Sequence, residues 1–185
     1  MATIRNGNQS VLLVVDVQAA VMKDGWEARR VIVNVAQAVE RARARGVPVL
    51  WMQHESEDMP HDSPGWQWVP ELVPAAGEVR LFKKYTSSFE ETPLESELER
   101  LGASHIVLAG AQSNWCIRAA AYGALDRGYD LTLVADAHTT DDIARDDGSV
   151  IEARGIVDDL NLAMTWLAYP GRKTRSVKAA ELAFA

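Results

Sequence analysis

The feature that most restricts this chain is an alternation: short, almost purely apolar runs take turns with longer stretches of helical periodicity. The runs are "SVLLVVDV" (Ser10–Val17), "VPVLWMQH" (Val47–His54), "EVRLF" (Glu78–Phe82), "HIVLAGA" (His105–Ala111) and "DLTLVADA" (Asp130–Ala137). They are β-branched, scarcely alternate with polar residues, and are bounded by Gly, Pro or Asp, as strands covered on both faces are. Between them, Trp26–Gly46, Pro93–Gly102 and Cys116–Gly128 repeat apolar residues at helical spacing and stop at glycine, and a further helix is expected within Val150–Leu167. Thr92 is a candidate N-cap, with Pro93 in the first turn. Such alternation implies an α/β fold: a three-layer α/β/α sandwich on a doubly wound, mainly parallel six-stranded sheet, expected in the order 3-2-1-4-5-6.

One connection breaks the rhythm. Glu55–Gly77 is rich in Pro, Trp and acidic residues and too long for a plain turn, so it is expected to serve a site. No internal repeat or linker interrupts the chain, and residues 1–185 are read as a single domain. The formal net charge of -7 argues against nucleic acid or an anionic membrane as partner. No apolar run approaches the ~18 residues of a membrane span, and "VLLVV" ends at Asp16 without a basic flank or cleavage pattern. The single cysteine excludes an internal disulfide and a cysteine-rich metal site. Together these point to a cytoplasmic protein with a free thiol.

Open α/β sheets bind ligands beyond the carboxyl ends of their strands, where the strand order reverses. Three chemically capable residues emerge there. Asp16 ends the first run, Lys83 follows the third, and Cys116 comes just after the fourth, through "QSNW". In the expected order the strands bearing Asp16 and Cys116 are neighbours astride the reversal, and Lys83 starts two positions away. Each has a plain structural reading: a carboxylate opening a loop, half of a solvated lysine pair, a buried spacer thiol. Position favours chemistry for Cys116, because a helix N-terminus supports a thiolate; fast alkylation by iodoacetamide is the corresponding expectation.

The segments "LLVVDVQ", "KKYTSSFEETPLESEL", "VLAGAQSNWCIRAAAYGALDRGYDLTLVADAHTT" and "LNLAMTWLAYPGR", spanning about residues 10–172, resemble the isochorismatase-like cysteine hydrolases. That group includes nicotinamidases, N-carbamoylsarcosine amidases, maleamate amidases and isochorismatases. The resemblance implies an Asp-Lys-Cys triad. Its lysine stands six residues before the phenylalanine of an S-x-F element; counting back from Phe89 gives Lys83 rather than Lys84. Asp16 and Cys116 complete it. It also implies a non-proline cis peptide between Ala111 and Gln112, and an oxyanion site on the backbone N–H groups of Gln112 and Cys116. The implied reaction is hydrolysis of a small amide or carbamoyl C–N bond through a Cys116 thioester, without a cofactor, in a homo-oligomer (dimer or tetramer).

Nicotinamidases carry an Asp-x-His…His metal set in the second loop. This chain has His54, Asp58 and His61 there but no Asp-x-His, so no metal is expected. Candidate pocket residues are His54, Tyr85, Phe89 and Trp115, with Ser88 behind them. Trp66 and Trp68 are expected to cap the site or form a subunit contact, Gln112 and Asn114 to line the pocket or satisfy their turn, and Asp136, beside His138, to hold the loop that follows. Two rival readings stand: a vinyl ether hydrolase with Asp16 as acid and Cys116 idle, and a non-catalytic thiol-bearing binding protein.

Overall fold

Side chains along the strands divide by parity. Val11, Leu13 and Val15 face one side of the sheet, and Leu12 and Val14 the other, as a pleated strand requires. The computed structural model describes residues 2–184. In chain order these form β1 (Gln9–Val15), α1 (Ala19–Met22), α2 (Ala28–Ala44), β2 (Val49–His54), β3 (Val79–Lys83), α3 (Leu94–Arg100), β4 (Ala103–Ala111), a π turn (Ser113–Ile117), α4 (Arg118–Asp126), β5 (Asp130–Thr139), β6 (Ile143–Ala144), β7 (Val150–Ile151), α5 (Ala153–Trp166), β8 (Thr174–Val177) and a 3-10 turn (Ala179–Glu181). The main sheet runs β3-β2-β1-β4-β5-β8 and every pairing in it is parallel. The expected order therefore holds, with β8 as sixth strand. Small β6 and β7 form a separate antiparallel hairpin.

Both faces are covered. Val31, Val35, Ala38, Val39 and Ala42 of α2 pack on Leu12, Val14, Trp51, Val107 and Ala109. On the other side, Leu94 and Leu98 of α3, Ala120, Ala121 and Ala124 of α4, and Leu160 and Met164 of α5 pack on Val11, Leu13, Leu50, Ile106 and Leu131. Each such fully buried Leu or Val contributes roughly 1.5–3 kcal/mol relative to exposure.

The site end of the sheet holds the local surprises. Strand β3 runs one residue past the sequence expectation and includes Lys83. Pro93 flanks α3 rather than opening it, while Thr92 Oγ1 accepts the Leu94 N–H at 3.3 Å and acts as the cap. The β4–β5 register shifts between Leu108 and Gly110, so that Gly110 pairs with His138. Gly110 has φ 127°, and a Cβ there would stand 1.9 Å from the Val15 carbonyl oxygen. Only glycine lets β4 approach β1 this closely.

The 55–77 connection is laid against the end of β1. Ala19 and Ala20 donate to the Gln67 and Gly65 carbonyls, and Val69 donates to Val17. Trp66 is buried beside His61 and Phe82, with ring centroids 4.2 and 5.7 Å away, and Trp68 stands edge-on to Trp51 at 5.1 Å. The two tryptophans thus pack against their own chain, Trp66 buried and Trp68 half-buried.

Candidate active site

Asp16 is the first residue beyond β1. Its N–H still donates to Met52 O at 2.8 Å, and then the chain turns through φ 52°. A left-handed conformation is uncommon for a non-glycine residue, though aspartate tolerates it better than most, and such positions cluster at functional sites. The turn leaves the Asp16 carboxylate buried at the strand end.

Cys116 is the fourth residue of the π turn. Gln112 O accepts from both Trp115 N (3.1 Å) and Ile117 N (3.0 Å), and the second of these spans five residues. The helix expected from Cys116 is therefore preceded by one wider turn, and α4 proper begins at Arg118. Isolated π turns recur at functional sites because they re-aim one side chain without breaking the helix. The Ala111–Gln112 peptide, immediately before it, is cis.

Lys83 draws these elements together. Its Nζ lies 2.8 Å from Asp16 Oδ2, 3.2 Å from Cys116 Sγ, 3.2 Å from Tyr85 O and 3.3 Å from His54 Nδ1. An ammonium has three protons for these four acceptors, so one contact is always incomplete. Lys83 and Asp16 form a buried ion pair, and the Cys116 thiol adjoins the same carboxylate. The three residues that the sequence singled out meet around one buried ammonium.

Burial pushes the Asp16 carboxyl above its usual range, against the opposing pull of Lys83. Burial works to lower Lys83, but Asp16 and Cys116 outweigh it and the ammonium is held charged. Burial, then Asp16, pushes the Cys116 thiol up to about 12, with Lys83 opposing. The expectation of a resting thiolate is thereby reversed. The cause is desolvation first and then the neighbouring Asp16 carboxylate. Burial and Lys83 lower His54, keeping it neutral beside the ammonium. The cluster thus pairs a protonated sulfur with a carboxylate of raised basicity.

A side-chain lacing fixes the π turn to the end of β5. Gln112 Nε2 donates to Asp141 Oδ2 (2.8 Å), Ser113 Oγ meets His138 Nδ1 (2.8 Å), and Thr140 Oγ1 donates to Asn114 Oδ1 (2.5 Å). Asn161 Nδ2 donates to Ala135 O, which turns its Oδ1 toward His138 Nε2 at 3.3 Å. That oxygen can only accept, so His138 carries its proton on Nε2 and Ser113 donates to Nδ1. Gln112 and Asn114 therefore satisfy the turn, the second of the two roles considered for them. None of the β5 partners has a local sequence signal that ties it to the turn; the β4–β5 register shift brings them there.

The remaining candidates separate. His54 is half-buried and touches Lys83. Tyr85 is exposed, and its backbone carbonyl rather than its ring reaches the ammonium. Trp115 is exposed on the π turn. Phe89 is a correction: its ring is buried against Gly123 and under Arg127, 4.5 Å from the guanidinium carbon, so it packs the core. Ser88 is fully buried. Asp136 holds the C-terminal segment instead of the following loop, accepting Ala179 N at 2.8 Å. His61 pairs with Asp62 and Asp58 is exposed; among the described residues no three His, Cys, Asp or Glu gather as metal ligands. A cleft of about 280 Å³ opens at Lys83 between Glu55, Phe82, Lys84, Tyr85 and Glu91. Of these, Glu55, Lys84 and Glu91 looked in the sequence like ordinary loop charges.

A doubly wound sheet with thiol, carboxylate and ammonium at its carboxyl edge defines a class of α/β proteins. Within that class the chain belongs to the isochorismatase family, whose isochorismatase domain matches residues 10–157. It is 37% identical to the streptothricin hydrolase of Streptomyces noursei, over 83% of this chain and 61% of that protein. It is 30% identical to the ureidoacrylate amidohydrolase RutB of Klebsiella pneumoniae, over 59% of this chain and 64% of that one. The match thus spans about three-fifths of the length of these relatives. Among solved structures, an isochorismatase from Pseudomonas putida KT2440 has TM-score 0.84 at 26% identity, over 95% of this chain and 90% of that one. A cysteine hydrolase from Pseudomonas syringae pv. phaseolicola 1448A shares the fold, with TM-score 0.85 at 17% identity over 94% and 90%. No helix among the described residues is long and apolar enough to cross a membrane.

Proposed function

We propose that this protein is a cysteine hydrolase cleaving a C–N bond, amide or carbamoyl, in a small molecule. The observation that carries the reading is the bridging ammonium, 2.8 Å from Asp16 and 3.2 Å from Cys116. The names of the two curated relatives, one of them an amidohydrolase, support the same bond class.

In this reading Asp16 takes the thiol proton as the sulfur attacks the acyl carbon, giving a tetrahedral oxyanion. The N–H groups of Gln112 and Cys116 receive that charge, a contribution of about 3–4 kcal/mol per donor in comparable sites. Protonated Asp16 then delivers its proton to the departing nitrogen, leaving a thioester. Water adds to the thioester with Asp16 as base, and the thiol is restored. Lys83 keeps the complex near neutrality as the proton moves between sulfur and carboxylate. The same reading takes the 185 residues as one domain working in the cytoplasm as a homo-oligomer.

A second reading draws on the raised Asp16 pKa, which also suits an acid protonating a vinyl ether with the thiol idle. One experiment separates them. Small primary amides and ureido compounds are screened for ammonia release with wild type and Cys116→Ala. Release by wild type alone supports the thioester route; equal release by both proteins refutes it.

A further inference from the structure

Parallel pairing sets His54, the last residue of β2, directly beside Lys83, the last residue of β3. Two residues back on each strand, Met52 and Leu81 share one apolar cluster, so His54 and Lys83 stand one pleat beyond it on the same face. The backbone of His54 is clamped independently of its ring. The fully buried side chain of Gln18 donates from Nε2 to His54 O at 3.0 Å and accepts His54 N at Oε1 at 2.8 Å. The imidazole is thereby brought to Lys83, with Nδ1 3.3 Å from Nζ.

The roles in that contact are fixed. Lys83 is held charged, and an ammonium only donates, so Nδ1 accepts and the ring carries its proton on Nε2. The groups that bear on the ring agree: burial and Lys83 keep it neutral, against the weaker pulls of Asp16 and Glu55. Three ammonium protons then face four acceptors of unequal strength. The Asp16 carboxylate is the strongest, Tyr85 O and His54 Nδ1 are ordinary acceptors, and a thiol sulfur is a weak one. With the thiol protonated, the sulfur is the acceptor left short, and His54 holds the proton it lacks. A thiolate reverses the ranking, because a charged acceptor forms a bond roughly twice as strong as a neutral one.

We propose that His54 is a positioning residue acting through Lys83: it keeps the third ammonium proton off Cys116 while the sulfur is a thiol, and releases it to the sulfur when Asp16 takes the thiol proton. In that step the S–H bond breaks and an Asp16 O–H bond forms. Lys83 keeps its three N–H bonds, and one of them swings from Nδ1 to Sγ, so the net charge of the cluster is unchanged. The ammonium itself stays in place, since its side chain is fully buried and still held by Asp16 and the Tyr85 carbonyl. Removing the imidazole therefore redirects a proton rather than moving the lysine, and makes the thiolate easier to form. The proposal rests on the ionising thiol of the reading above, but its test uses no substrate, so absence of amide hydrolysis and failure of this device are separate results.

The full chain is alkylated with iodoacetamide at pH 8 and followed by intact mass. His54→Leu, which keeps the main-chain clamp, should make the thiol ionise about one to two pH units lower, the worth of one hydrogen bond to a charged group. A less basic sulfur is also less nucleophilic, so the rate should rise roughly 3–15-fold over wild type rather than by the full change in thiolate fraction. His54→Asn, whose Oδ1 can stand where Nδ1 stood, should restore the slow rate, whereas loosened packing would speed both variants. Nitrogen NMR of labelled wild type reads the ring directly: it should show Nδ1 bare and Nε2 protonated, with titration below the ordinary 6.5. The proposal is overturned if His54→Leu alkylates at the wild-type rate or slower, if His54→Asn is as fast as His54→Leu, or if the neutral wild-type ring carries its proton on Nδ1. The last result needs no variant, so misfolding of either one leaves the proposal open to refutation.

Discussion

Alkylation of Cys116 by iodoacetamide should be slow. The thiol is pushed up to about 12 from an ordinary 9.0, so near neutral pH its thiolate fraction is about a thousandfold below that of a free cysteine. A more basic thiolate is intrinsically more nucleophilic, with a Brønsted slope of about 0.4–0.5, which returns a factor of roughly 16–32. The net rate should be roughly 30–60-fold below that of glutathione at pH 7.5. Restricted access to the sulfur would also slow alkylation, but it would not produce the variant pattern that the electrostatics require. Asp16 raises the thiol and Lys83 lowers it, so Asp16→Asn should accelerate alkylation and Lys83→Met retard it further. The assay is intact-mass detection of the single adduct over time, from pH 7 to 10.5. In wild type the rate should climb throughout that range, whereas glutathione levels off near its own pKa. Wild-type alkylation as fast as glutathione, or an Asp16→Asn rate equal to wild type or slower, would refute the reasoning.

Three further outcomes follow from the same structure. Lys83→Met leaves the Asp16 carboxylate buried without its ion partner and should cost about 3–5 kcal/mol in urea unfolding; adding Asp16→Asn should recover part of that loss, and simple additivity of the two would contradict the pairing. His138 is held neutral, lowered to about 4 by burial, so between pH 6.5 and 4 the unfolded chain binds a proton that the native state refuses. Its contribution to stability is whole above pH 6.5 and fades toward pH 4, and His138→Gln should flatten the urea-midpoint slope across that window; an unchanged slope would count against a neutral His138. Gly110→Ala forces a Cβ to within 1.9 Å of the Val15 carbonyl and should cost about 3 kcal/mol or more; a thermal melt within two degrees of wild type would show that the β1–β4 contact yields easily.

What could be read from the sequence was whatever has a local signature. Unbroken apolar runs gave the first five strands of the main sheet but not β8, whose Thr174–Val177 is mostly polar, and Asp16, Lys83 and Cys116 stood out because each lies at or just beyond the end of such a run. The π turn escaped because it depends on Gln112 O accepting two N–H groups, a geometry that no spacing rule encodes. Phe89 was read as a pocket residue from its neighbours in the chain, but its surroundings come from Gly123 and Arg127, more than thirty residues on. The Thr140–Asn114 and His138–Ser113 lacing, the Lys83–His54 contact and the cleft charges Glu55, Lys84 and Glu91 are likewise products of topology. The thiol was misjudged for a related reason: the pull of a helix end is visible in sequence, whereas desolvation and a neighbouring carboxylate appear only once the chain is folded.

The central claim is that the sulfur of Cys116 becomes bonded to the substrate's acyl carbon. Rapid-quench mass spectrometry on wild type, mixed with an amide that it turns over, measures this directly. The account predicts an acyl adduct that forms within the first turnover, maps to the peptide carrying Cys116 and is absent in Cys116→Ala. Turnover of that amide by Cys116→Ala at the wild-type rate, with no adduct on either protein, would contradict it.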